Sequence, residues 1–229
     1  MSAARGQSAE ERIAHAYDGR DGLRYDRLIA SLVGAELLFR VFWGVSHRAV
    51  NRAIDARLGN ARGCTVLDVP VGGGADLASR VPLLRDARAV IGVDLSRDML
   101  LRAARRLPLH GLGSVHLLRA PVTALPLATG SVDLILAINS LHCFADLPGA
   151  LAELRRVAAA GARLVGSCVV RGANPRTDRR IHRMIEHGHF AAALDQRAVT
   201  AALAAAGFGP VHTERFGAVL VFGAASLGC

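Results

Sequence analysis

Apolar positions along this chain fall into two kinds of pattern. Between residues 61 and 170, short apolar runs such as Val66-Leu67 and Val90-Ile91-Gly92-Val93, each stopped by an aspartate, alternate with amphipathic stretches. Runs so short and so apolar predict strands buried on both faces, and their alternation with helical periodicity predicts the βαβ units of a parallel sheet. Upstream, Leu28 to Val45 is the most apolar early segment, but Glu36 and Arg40 interrupt it. It predicts an amphipathic lid helix, not a membrane-spanning one. Tyr25 to Leu58 reads as one or two such helices with Trp43-Gly44 near the middle, and residues 1 to about 20 read as disordered or loosely helical. Residues 171–196 are an insert rich in histidine and arginine, and 211–225 a closing antiparallel pair.

Candidate chemistry concentrates after the first strand. Val66-Leu67-Asp68-Val69-Pro70-Val71-Gly72-Gly73-Gly74-Ala75 describes a strand ending in an acid, a glycine turn and the start of a helix. The glycines let backbone approach a ligand closely, and the helix from about Ala75 offers unpaired N–H groups to an anionic part of it. Asp94, closing the next strand, stands where such folds place the acid that accepts hydrogen bonds from a ribose diol. An adenosine-type ligand is therefore expected. A dehydrogenase turn would read G-x-G-x-x-G, whereas here the order is Asp68-x-Pro70-x-Gly72-x-Gly74.

That spacing resembles the first motif of the class I S-adenosylmethionine (SAM)-dependent methyltransferases. Leu125-Pro126-Leu127, Ser131 to His142, Leu151 to Val157 with the turn from Ala160, the helix ending at Ala206-Gly207-Phe208, and Val211 to Ala225 follow in that superfamily's order, so the resemblance covers roughly residues 60–225. It implies an α/β, Rossmann-like fold: a seven-stranded, mostly parallel sheet with helices on both faces. It also implies an N-terminal helical lid over 1–58 and a SAM-binding region over 59–229, one structural domain overall. The implied cofactor contacts are Asp68, Pro70, Gly72, Gly74, Asp94, Leu95 and Met99. Ala120, Pro121 and Val122 of the adenine loop and Asn139 after strand four complete them. Asp68 would order the turn and accept hydrogen bonds near the methionine end. Pro70 replaces the family's first glycine and lacks an N–H. Pro121 replaces an acid that contacts the adenine amine in many relatives, leaving recognition to the backbone of Ala120 and Val122 or to Thr123.

His142 follows strand four, and its ordinary pKa near ~6.5 suits a general base. It is the candidate catalytic residue, with service to the following helix as the alternative. Tyr17, Tyr25, Phe39 and Trp43 are candidate substrate-wall residues, with ordinary core packing as their alternative. His182, His187 and His189 of the insert are further candidates, and no metal is expected.

Composition changes the picture only at the margins. The formal net charge is +9, yet all 28 basic residues are arginine, so part of the basicity reflects codon bias. No aromatic interleaving accompanies the charge, and neither a nucleic-acid nor a membrane partner is expected. Arg171, Arg176, Arg179, Arg180 and Arg183 form one denser cluster, which leaves open an acidic or phosphorylated acceptor as well as a solvated face. Cys64, Cys143, Cys168 and Cys229 lack metal-ligand spacing, and with no secretion pattern at the N-terminus they read as reduced cytoplasmic thiols. The favoured function is methyl transfer to a small phenolic, quinone-like or polyketide-like acceptor of secondary metabolism. The alternatives are a SAM-fold protein that binds SAM or S-adenosylhomocysteine without methylating, as scaffold or cyclase, and an RNA or protein methyltransferase. A homodimer is left open.

Overall fold

The computed structural model describes residues 9–227, so Cys229 and the first eight residues lie outside it. Its sheet has seven strands in the order β3-β2-β1-β4-β5-β7-β6. The strands are β1 (Thr65–Asp68), β2 (Ala89–Asp94), β3 (His116–Arg119), β4 (Val132–Ala137), β5 (Ala158–Val169), β6 (His212–Phe216) and β7 (Val219–Ala225). All neighbouring pairs are parallel except those of β7, which runs antiparallel to β5 and β6. Central β1 carries β2 on one side, with Val66 opposite Val90, and β4 on the other, with Val66 opposite Leu134. The strand order reverses at β1, which opens a cleft beyond its carboxyl end.

Successive strand residues feed opposite faces. Val66, Leu134, Val165 and Val221 join a core with Val50, Ile54 and Leu58 of α4 (His47–Leu58) and Ala103 of α7 (Arg97–Arg106). Their neighbours Leu67, Ile135, Leu164 and Leu220 join a second core with Leu151 and Leu154 of α8 (Leu147–Val157) and Val199 and Leu203 of α10 (Gln196–Ala205). The pleat thus explains why these strands read as unbroken apolar runs. Helix starts follow side-chain caps: Ser46, Ser96, Asp146 and Asp195 accept from the backbone N–H of Ala49, Met99, Gly149 and Ala198.

The N-terminal region departs from the expected single helix over Leu28 to Val45. It comprises α1 (Ala9–Ala16), α2 (Gly19–Ala30), α3 (Leu32–Leu38) and a π turn over Phe39–Trp43. The break after α2 falls at Ser31, whose hydroxyl accepts from Gly34 N–H and caps α3. Gly44, at φ +68°, ends the π turn in a conformation that favours glycine. Short α5 (Ala75–Ser79) and α6 (Val81–Leu84) follow the glycine turn, and α9 (Pro175–Glu186) fills the insert. Arg80, 1% exposed, ties α4 to α5 through an ion pair with Asp55 at 2.8 Å, another with Asp76 at 3.1 Å and a hydrogen bond to Asn51 at 2.8 Å.

Candidate functional site

A cavity lies at the carboxyl ends of β1, β2 and β4, roofed by the N-terminal helices. Its floor is Val69, Pro70, Val71, Gly72 and Gly73 of the glycine turn. Asp94, Leu95, Ser96 and Met99 form one wall, Ala120, Pro121 and Val122 another, and Ile138, Asn139, Cys143 and Phe144 close the end beyond β4. Glu10, Tyr17, Tyr25, Asp26 and Ile29 reach in from α1, α2 and the turn between them.

Asp94 accepts from Gly72 N–H at 2.8 Å through one carboxylate oxygen and from Ser96 N–H at 2.8 Å through the other. Burial raises its pKa to about 6, and those two backbone bonds pull the other way. It therefore fixes the glycine turn against the start of α7 and keeps lone pairs for a ligand. Asp68 is 1% exposed and neither of its carboxylate oxygens has a hydrogen-bond partner. Burial pushes its carboxyl well above the usual range.

The roof is held by polar contacts. Asp26 makes a two-pronged pair with Arg106 of α7 at 2.8 and 2.7 Å, and Arg106 also donates to Gly73 O. Ser96 Oγ donates to Asp18 at 2.5 Å, Arg102 donates to the carbonyls of Tyr17 and Gly19, and Thr123 Oγ1 donates to Glu10 at 3.3 Å.

A second cavity, of about 260 Å³, adjoins the first and shares Tyr17, Tyr25 and Asn139 with it. Phe39, Phe42, Trp43, Met184 and Phe190 make it apolar, and His142 and His189 add polar edges. Trp43 stacks on Phe190 at 6.0 Å and 25°, while His142 meets Phe190 edge-on at 4.2 Å. Asn139, the joint between the cavities, has φ 50°, a left-handed conformation rare for a non-glycine residue, and its N–H is held by Ser167 Oγ at 3.1 Å.

Comparison with known proteins agrees with this geometry. A family model for the methyltransferase domain matches residues 67–166. The chain is 36% identical over 143 residues to a demethylmenaquinone methyltransferase of Thermus thermophilus, covering 62% of this chain and 59% of that protein. It is 37% identical over 113 residues to an uncharacterized 37.1 kDa transposon protein of Streptomyces fradiae, covering 49% and 31%. The chain thus spans less than two thirds of the length of either curated relative. Among solved structures, geranyl diphosphate C-methyltransferase of Streptomyces coelicolor, in complex with Mg2+, geranyl-S-thiolodiphosphate and S-adenosyl-L-homocysteine, shares the fold with a TM-score of 0.74 at 18% identity, over 98% of this chain and all of that one. Residues 67–166 thus match a methyltransferase domain, and the whole chain shares its fold with a methyltransferase of known structure.

SAM is the cofactor that the methyltransferase-domain match implies, and the residues at the cleft fit it. Asp94 retains acceptor capacity at the strand end suited to a ribose. Nine of the eleven cofactor positions expected from sequence line one cavity, with Asp68 and Gly74 as the exceptions. Asp68 makes no side-chain hydrogen bond to the turn, so the ordering role expected of it falls to Asp94 instead. Gly74 faces the opposite way: a Cβ there would meet Leu107 at 3.1 Å, so its glycine serves helix packing. Thr123, an alternative adenine contact, is engaged by Glu10, and this puts a lid carboxylate at the loop where Pro121 replaces the family's acid.

The second cavity corrects three expectations. His142 Nδ1 accepts from Val169 N–H at 3.1 Å, so its proton resides on Nε2, and burial holds its pKa down to about 3. A neutral imidazole with that tautomer donates a hydrogen bond and does not act as a base near neutral pH. His182 and His187 are exposed and line neither cavity; His189 does, because Gly188 at φ +76° turns the chain inward after α9. The insert arginines also line neither cavity. Arg180 instead donates to the carbonyls of Val41 and Phe42, and Arg171 pairs with Asp195. Tyr17, Tyr25 and Trp43 all line the second cavity.

Sequence reading missed Asp26, Asp76, Cys143 and Phe190. Asp76 carried a signal, its i,i+4 spacing to Arg80, and Cys143 directly follows the segment already singled out. Asp26 and Phe190 carried none, because tertiary packing alone brings them in. Among the described residues no group of three or more histidine, cysteine, aspartate or glutamate side chains could hold a metal ion.

Proposed function

We propose that this chain transfers the SAM methyl group to a small, largely apolar aromatic acceptor held in the second cavity. The observation that carries this reading is the continuity of the two cavities through Asn139, Tyr17 and Tyr25, one cavity suited to the nucleotide and the other walled by aromatic rings. SAM supplies a methyl group already activated on a sulfonium. The chain's own task is then to hold a nucleophile in line and to exclude water, which accounts for up to ~7 to 11 kcal/mol of barrier in favourable cases. Trp43, Phe39 and Phe190 present flat apolar walls for a ring, and the roof of α1 and α2 excludes solvent. The Nε2–H of His142 holds an oxygen of the acceptor that accepts a hydrogen bond, as a phenolate or a ring carbonyl would.

A phenolic or quinol-like acceptor fits this arrangement better than a neutral alcohol that needs a base. The relative described as a demethylmenaquinone methyltransferase supports a small, apolar acceptor, and the position of the insert arginines outside both cavities speaks against a phosphorylated one. Glu10, beside Thr123, takes the place of the missing adenine-loop acid. The test is incubation of the purified chain with SAM and a panel of phenolic, quinol and polyketide-like compounds, followed by mass spectrometry. Methylated product with release of S-adenosylhomocysteine supports the reading. Tight SAM binding with no product across the panel would favour a SAM-binding protein that does not methylate.

A further inference from the structure

Large apolar side chains exposed to solvent are not scattered over this protein. Of ten among the described residues, seven lie between Tyr25 and Phe42, including Leu32 at 71% and Val33 at 77% exposure. Val33, Leu37 and Val41 recur every four residues and share one face of α3 and the π turn, with Leu28 beside them across the turn at Ser31. Arginines rim this ridge. Arg24 and Arg27 of α2 and Arg40 beside Leu37 are exposed, and α9 brings Arg180 over the Phe42 ring at 4.6 Å with Arg179 and Arg183 exposed on the same helix. Tyr25 and Phe42 belong both to the ridge and to the lining of the second cavity, so the mouth of that cavity opens at the ridge.

We propose that this face of the lid docks on an anionic lipid surface, its apolar side chains entering the headgroup region and its arginine rim facing acidic headgroups. A helix with apolar residues on one side and arginine on its flanks is suited to lying in a membrane interface without crossing it. Among the described residues no helix is long and apolar enough to cross a membrane, so the docking proposed is peripheral. It departs from the expectation that no membrane is engaged. Charge decides between a lipid surface and a second copy of the chain. A two-fold contact through the ridge would set each arginine rim against its own copy, while the chain as a whole carries +9. Docking would also turn the mouth of the cavity toward the lipid phase, from which an apolar acceptor could enter directly; this last consequence rests on the acceptor reading above, and the docking does not.

The test is sedimentation of the full chain with vesicles of phosphatidylcholine alone or mixed with phosphatidylglycerol, and it needs neither SAM nor acceptor. Binding to the mixed vesicles should exceed binding to the neutral ones and weaken with added salt. The double variant Val33→Ser, Leu37→Ser should lose roughly tenfold or more in partition while keeping its SAM affinity and circular dichroism. No partition, or equal partition of the variant, would overturn the proposal. So would a dimer in sedimentation velocity that the same double variant abolishes, because a second copy would then cover the ridge.

Discussion

Asp94 should couple cofactor affinity and stability to pH with opposite signs. Its carboxyl moves from an ordinary 3.8 to about 6 on folding, chiefly because burial disfavours the charged form. The sign follows from proton counting: between those values the folded chain binds more protons at Asp94 than the unfolded chain. The contribution to stability is therefore fully present below pH 4 and is lost as pH rises through 6, by about 3 kcal/mol at 1.36 kcal/mol per pH unit. Cofactor binding runs the other way if the carboxylate accepts from the ribose. At pH 5 roughly one site in eleven is ionised, so affinity should fall about tenfold from its value at pH 7.5, with a midpoint near 6. Other buried acids titrate too, Asp68 among them, so the quantity to read is the difference between the wild type and Asp94→Asn. Titration calorimetry with SAM and S-adenosylhomocysteine, and urea denaturation without either, give the two profiles. At pH 7.5 the variant should bind at least about tenfold more weakly, and the two proteins should converge toward pH 5. A flat difference in affinity, or affinity and stability moving together across pH 4 to 7, would refute the assignment.

Four further outcomes follow from the geometry. His142→Gln, which can still donate toward the cavity, should retain more turnover at saturating SAM than His142→Ala; equal loss in both, with a kinetic inflection near pH ~6.5 that disappears, would restore the role of base. His142→Ala should in addition lose about 1 to 3 kcal/mol of stability by orphaning Val169 N–H, measurable by urea denaturation. Gly73→Ala would place a Cβ 1.9 Å from Asp26 Oδ1 and must displace the carboxylate that pairs α2 with Arg106, whereas Gly72→Ala, at φ +52°, meets no atom and bears only about 1 to 2 kcal/mol of backbone strain. Limited proteolysis within residues 9–30 should accelerate in the first variant only. Trp43→Leu removes the stack on Phe190 and should raise the acceptor KM about three- to tenfold with SAM affinity unchanged, and a matching loss of SAM affinity would place Trp43 in the wrong cavity.

What the sequence revealed was local. β1 ending at Asp68, the helix from Ala75 and β2 ending at Asp94 were legible because a buried strand, a glycine turn and a stopping acid follow one another within the reach of short-range patterns. The lid helix was misread as continuous because hydropathy is blind to Ser31, whose hydroxyl caps the next helix. Roles that depend on which way a side chain turns were not legible. His182 and His189 look equivalent along the insert, and only the left-handed Gly188 separates an exposed imidazole from one in the cavity. The same limit applied to His142, where a buried backbone N–H fixes the tautomer and with it the choice between donor and base.

The roof over the cofactor cleft is attached differently from the rest of the molecule, and that difference bears on how a ligand enters. The helices on the two sheet faces are held by contiguous apolar cores, whereas α1 and α2, apart from Ile29 against the first core, meet the cleft through polar contacts of Glu10, Asp18 and Asp26. Exposed or half-exposed polar pairs contribute little apiece, while the buried Asp26–Arg106 pair is costly to break on one side only. Separation of both partners into water during a concerted opening avoids that cost, because each charge regains its solvation. If the roof opens for the ligand, Asp26, which pairs with Arg106 and faces Gly73, is the contact through which a bound cofactor and the position of the roof are expected to be linked. The apolar ridge begins on the outer side of α2 and continues along α3 and the π turn. A lipid surface that takes up Val33 and Leu37 acts on the roof from outside while the cofactor acts on it from within, so vesicles should alter SAM affinity only to the extent that they prefer one position of the roof, and SAM should alter vesicle binding by the same factor.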